Sequence, residues 1–173
     1  MRTPALALVQ GLVEPCRMHP TRPSRLITNP GPPSVRFEVL RLAEGPLHPF
    51  ELGDFRLTVN GRSIDSSASP RLAHMIHLSL CDLIEGLLRM ADGIDAFVLN
   101  GVDSSFRLDV RRRRYGVSVF DEKTRLDDTP LASLIVAVRR GLEAHFRDAP
   151  IEDPEAPVID ELLRLRQALN RLD

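Results

Sequence analysis

His74, His77, Cys81 and Glu85 follow one another in steps of three and four, the spacing that stacks side chains on one face of an α-helix. Imidazole nitrogen, thiolate and carboxylate are the donors a zinc ion takes. All four belong to one stretch of chain, and no CxxC or HxxxH elsewhere supplies the second segment on which a structural zinc site draws. No metal and no cofactor are therefore assigned. The four residues read as a second, half-buried helix face, set against the N-terminal arm or a partner.

A second run concentrates charge. Arg111, Arg112, Arg113 and Arg114 stand in a row before Tyr115 and Gly116. Guanidinium groups hold carboxylates or phosphates in paired hydrogen bonds, so such a run at a hairpin tip is a candidate grip for an acidic partner. Asp109, Asp121 and Glu122 lie close enough in sequence to pair with some of these arginines across a hairpin. Charged residues on a strand edge also discourage unwanted pairing. The net charge of −1 supplies no general field for polyanions, so nucleic acid is the weaker reading and another protein the stronger. Of the 23 basic residues all but Lys123 are arginine. That bias, with abundant Ala, Leu, Pro and Asp, points to a high-GC bacterial genome, and most of these arginines need no functional reading.

Chemistry of the catalytic kind finds no signature. The chain has no GxSxG elbow, no phosphate-cradling glycine loop and no HExxH helix. Asp103, Ser104 and Ser105 sit at a turn from which they could approach His74 or His77, yet an Asx or Ser turn explains them more simply. The reading is a non-catalytic interaction protein, of the partner, inhibitor or immunity kind. Its rival is a small enzyme or ligand-binding domain without a motif, which a deep pocket with convergent polar groups would reveal. A second rival is a nucleic-acid binder using the arginine hairpin.

The elements that must position these residues follow from periodicity. Phe55-Arg56-Leu57-Thr58-Val59 and Phe106-Arg107-Leu108-Asp109-Val110 nearly repeat each other, and both alternate apolar with polar as a one-face-buried strand does. A helix is expected after each, opening at Ser69-Pro70 and at Thr129-Pro130, with the hydroxyl as N-cap and proline at N1. Further strands are expected at Val35 to Val39, Phe50 to Val59, Arg62 to Asp65, Ile94 to Leu99, Ser105 to Arg112 and Val117 to Phe120, with Asn60-Gly61 as a type I′ turn. Leu72, Met75, Ile76, Leu80, Leu83, Ile84, Leu87 and Ala91 form the apolar stripe of the first helix, and Gly93 ends it. Leu131, Leu134, Ile135, Val138, Leu142 and Phe146 form that of the second. The resulting fold class is α+β: an antiparallel sheet of five or six strands, two long helices on one face in ββα-ββα order, and a C-terminal helix.

At 173 residues the chain is read as one domain with tails. Residues 1–34, holding half of the 14 prolines, are an arm. Residues 35–148 are the core, and 149–173 a proline-bearing linker and an amphipathic helix. Val158, Leu162, Leu165, Leu169 and Leu172 recur in steps of four and three along that helix. Packing back on its own domain is the simpler use of this seam. Docking on a partner or a second copy is the other, and so Leu162, Leu165 and Leu169 join Arg111 to Tyr115 as candidate contacts. Cys16 and Cys81 make no disulfide framework, no apolar run reaches the roughly 18 residues of a membrane span, and the cytoplasm is the expected compartment.

Overall fold

The computed structural model describes residues 33–68 and 70–172, so the arm lies outside the described residues except for Pro33 and Ser34. Alternation builds the first three strands. Phe55, Leu57 and Val59 point inward from β2 (Leu52–Val59), and β1 (Val35–Arg41) pairs antiparallel along its length from Val35 opposite Val59 to Arg41 opposite Gly53. Asn60 at φ 49° and Gly61 at φ 81° supply the two positive dihedrals of the tight turn into β3 (Arg62–Asp65).

The first helix starts later than its apolar stripe suggests. Pro70–Leu72 forms a single 3-10 turn, and His74–Met75 is a short strand, β4, paired with Leu52 and Gly53 on β2. Helix α1 is Ile76–Ala91, without a side-chain cap. Ser69, the expected N-cap, lies outside the described residues. Tertiary partners replace the cap: the Met75 amide donates to the Val102 carbonyl at 3.1 Å and the Ile76 amide to the Glu51 carbonyl at 3.0 Å. At the other end Gly93, φ 107°, donates to the Met90 carbonyl and Ile94 to that of Arg89, the paired bonds of a Schellman motif.

A second meander follows, β5 (Ala96–Asn100), β6 (Arg107–Arg113) and β7 (Gly116–Phe120), and then helices α2 (Leu131–Asp148) and α3 (Pro157–Leu169). The near-repeated pentapeptides thus lie in corresponding places, each within or at the start of the central strand of a three-strand antiparallel meander. The single sheet in ββα order is corrected. There are two antiparallel sheets, of four and three strands, each giving way to a helix after its last strand. The reason lies at the edges. The outward groups of β7 are taken by the chain itself, with Val117 and Thr129 exchanging both backbone bonds and Leu126 donating to Val119. On the other sheet β3 is only four residues long and largely polar. Thr129 is held in that bridge, so its hydroxyl does not cap α2. Pro130 takes the N-cap place instead, and the Thr129 Oγ1 is buried without a partner among the described residues.

Helix α1 is mostly buried except along the stripe Asp82, Glu85 and Arg89, as a helix with packing partners on more than one side must be. It touches β2, β4 and β5, and also α3, whose Val158, Ile159, Leu162 and Leu169 join the core. Helix α2 packs along β1. Bonds at Ser34–Asn60 and Leu42–Leu52 direct the even-numbered residues of β1 toward β2, which leaves the N–H and C=O of Val35, Phe37, Val39 and Arg41 pointing outward. Gly141 of α2 lies so close that a Cβ there would stand 2.7 Å from the Phe37 carbonyl oxygen. The helix thereby shields the middle of an otherwise open edge.

Candidate functional site

The arginine run divides by strand alternation. Arg111 projects on the same side of β6 as Arg107 and Asp109. Arg107 Nε bonds the Asp109 carboxylate at 2.9 Å, Arg111 reaches it at 3.4 Å, and the Arg111 guanidinium lies 5.0 Å from the centre of the Phe120 ring. Hydrogen bonding from Arg107 first, then from Arg111, holds the Asp109 carboxyl below the usual carboxylate range. Arg112, one residue on, turns to the opposite face. Its guanidinium donates to the Met90 carbonyl at the C-terminal end of α1 and sits 3.6 Å from the Asp95 carboxylate. Two of the four arginines are thus engaged within the fold.

Arg113 and Arg114 remain, at the hairpin tip. Both are exposed, and neither forms an ion pair among the described residues. Arg114 stacks over Tyr115 at 5.1 Å, and Tyr115 is 78% exposed. Its expected acidic neighbours divide as well. Asp109 joins the run, whereas the Asp121 carboxylate accepts from the amides of Lys123 and Thr124 and so shapes its own turn.

The leucines of α3 need correction. Leu162 and Leu169 are fully buried in this domain's own core and Leu165 is half-buried, so the seam packs inward. Helices α1 and α2 flank α3 and occupy the face that a second copy would have required.

The proposed ligand face of α1 is also redistributed. His74 belongs to β4, Glu85 is exposed, and Cys81 is buried with its thiol directed at the Val158 carbonyl, where burial first pushes its pKa up to about 11. No group of three or more His, Cys, Asp or Glu side chains converges among the described residues. His74 is held between Phe55, edge-on at 4.5 Å, and Phe106, stacked at 5.3 Å. Its Nδ1 donates to the Leu72 carbonyl at 3.0 Å, which also accepts from the Ser104 hydroxyl at 3.2 Å. The turn serine and the histidine do meet, but both are engaged with the same backbone oxygen, and Nε2 of His74 has no partner among the described residues.

His77 has a partner that sequence spacing does not reveal. Its Nδ1 donates to the Pro49 carbonyl at 3.1 Å, which leaves Nε2 as an acceptor, and His145 Nε2 donates to it at 3.0 Å. Burial, then the facing His77, then Arg41 push the His145 imidazole down to about 3. Alongside, Arg41 Nε meets Glu51 at 2.6 Å in a buried ion pair whose second carboxylate oxygen has no partner among the described residues. The signal for His145 was its place three residues beyond Leu142 on the apolar stripe of α2. Glu51, between exposed Phe50 and Leu52, carried the matching signal just before β2.

Two clefts accompany these features. One, about 590 Å³, runs between β1 and α2 and is lined by Arg41, Arg140 and His145 among others. The second, about 470 Å³, carries Arg71, Arg107 and Lys123 against Asp65, Asp121 and Glu122. Leu42, Phe50 and Leu52 form an exposed apolar end on the first sheet, with the Leu42 amide facing the Leu52 carbonyl. No described helix is long and apolar enough to cross a membrane. No family model, curated protein or solved structure matches this chain.

Proposed function

We propose that this protein acts by binding another protein, through the tip of the β6–β7 hairpin, and that the partner presents an acidic surface there. The observation that carries the reading is the division of the arginine run. Arg111 and Arg112 have partners inside the fold, whereas Arg113 and Arg114 form no ion pair among the described residues and Arg114 and Tyr115 stack on each other at the tip. Arginine and tyrosine are the residue types that dominate binding energy at interfaces, and here a paired strand on either side holds them in place. The exposed Leu42, Phe50 and Leu52 add apolar area of the kind a partner covers. A partner, inhibitor or immunity role is the class to which such a surface belongs.

The test is a double reversal, Arg113→Glu with Arg114→Glu. Wild-type protein should retain a discrete host protein in a salt-sensitive manner, and the variant should lose it with its melting temperature unchanged, because exposed charges contribute at most about 1 kcal/mol each to stability. Retention that survives the reversal would remove the hairpin from the interface. Micromolar binding of random-sequence DNA or RNA, falling steeply with salt and lost on reversal, would replace the protein partner with nucleic acid.

A small-molecule site is the second reading, favoured by His145 lining the cleft beside β1 while bonded to His77.

A further inference from the structure

Five strand edges bound the two sheets, and four are closed to addition. Helix α2 shields β1 at Gly141, β7 is bridged by Thr129 and Leu126, β3 carries Arg62 and Asp65 on four residues, and β4 has two residues, with its Met75 amide bonded to Val102. The fifth is β5. Bonds at Asp95–Arg112 and Gly101–Phe106 direct its odd-numbered residues toward β6, so the N–H and C=O of Ala96, Val98 and Asn100 point away from the sheet. None of these groups has a hydrogen-bond partner among the described residues. The strand reads Ala-Phe-Val-Leu-Asn, without a charge, a proline or a bulge, and Val98 is 41% exposed. Natural edges are usually protected by one of those devices.

We propose that β5 pairs antiparallel with β5 of a second copy, about a twofold axis at Val98, joining the two three-stranded sheets into one of six strands. The register argues for a second copy over an unrelated strand, because β5 is complementary to itself. With Val98 facing Val98 of the second copy, Ala96 faces Asn100 and Phe97 faces Leu99 in the partner, so all five residues pair. The outward groups of Ala96, Val98 and Asn100 meet their counterparts as hydrogen-bonded pairs. Half-buried Phe97 gains an apolar neighbour, and no like charges are brought opposite one another. Asp95, just outside the strand, faces Gly101 and keeps its own Arg112.

The inference is independent of the hairpin tip, since Arg113, Arg114 and Tyr115 take no part in the seam. Sedimentation of the full chain should show a concentration-dependent species of twice the 19.4 kDa protomer mass. Hydrogen exchange at the Ala96, Val98 and Asn100 amides should slow as that species forms. Because residue 98 faces itself, Val98→Lys and Val98→Glu should each raise the dimer dissociation constant by about tenfold or more, with circular dichroism unchanged, and mixing the two variants should restore association. A wild-type chain that stays at protomer mass at the highest attainable concentration would overturn the proposal. So would a dimer indifferent to both substitutions, or variants that fail to recover when mixed. Should Val98→Lys disturb folding, Val98→Thr, which keeps the shape and adds no charge, should fold and dimerise like the wild type; a folded Val98→Thr chain that stays monomeric would also count against the seam.

Discussion

His145 shows how much one side chain's surroundings govern its chemistry. In solution an imidazole takes up a proton near pH 6.5. Here burial, His77 and Arg41 all oppose it, while Glu51 and the Pro49 and His48 carbonyls favour the charged form of His77 less than burial opposes it. Both histidines therefore hold a proton less readily in the folded protein than in the unfolded chain. As pH falls below about 6.5 the unfolded chain binds protons that the folded one refuses, so stability is full above that value and is lost progressively toward pH 3. Urea unfolding at pH 7.5, 5.5 and 4.5 should show a falling midpoint. In a His145→Gln variant the fall between 7.5 and 5.5 should be shallower. Equal slopes in the two proteins would mean that the pair does not control acid stability.

Helix α2 and strand β1 illustrate the next scale. A glycine inside an exposed helix is ordinarily replaced by alanine with a gain of about 1 kcal/mol in helix propensity. At Gly141 the opposite is expected. The added methyl would lie 2.7 Å from the Phe37 carbonyl oxygen and 2.8 Å from its ring, so the helix must move off the strand it shields. Overpacking of this kind costs typically about 1–3 kcal/mol, which exceeds the propensity gain. Thermal unfolding of Gly141→Ala should show a lower midpoint, and a higher one would place α2 farther from β1 than described. Gly116 has a comparable constraint, with φ 154° and a Cβ position 2.2 Å from the Thr129 carbonyl oxygen, where the bridge closes β7.

Across the whole molecule, His74 joins what the near-repeat had suggested were two units. Phe55 opens the repeated segment on β2 and Phe106 directly precedes β6, and both rings pack on one imidazole, the first edge-on and the second stacked. A side chain that is buried, flanked by two aromatic rings and shared by both sheets should couple their unfolding. His74→Ala leaves a cavity between them and should cost about 2–4 kcal/mol, whereas His74→Phe keeps the ring stack, loses the bond to the Leu72 carbonyl and should cost less. Denaturant unfolding separates the cases. If the alanine variant were as stable as the phenylalanine variant, the stack would have no part in joining the sheets.

Periodicity by itself determined most of the elements. Alternation in Val35 to Val39 and in the two pentapeptides, the Asn60-Gly61 turn, the apolar stripes ending at Gly93 and Phe146, and the hairpin around Arg114-Tyr115 are local patterns, each set by residues within a few positions of one another. Tertiary structure decided the rest, because it depends on partners brought together over long separations. The second sheet is closed at β7 because Thr129 and Leu126 occupy that edge. Helix α1 begins at Ile76 because Glu51 and Val102 receive its first amides. The α3 leucines face inward because α1 and α2 lie beside them. Arg111 and Arg112 are engaged by Asp109, Phe120, Asp95 and the end of α1, while Arg113 and Arg114 are not, although nothing in a row of four arginines distinguishes them. His77 and His145 lie 68 residues apart. No spacing rule links two such positions; only the tertiary fold, with α2 along β1 and α3 against both helices, brings one imidazole to the other.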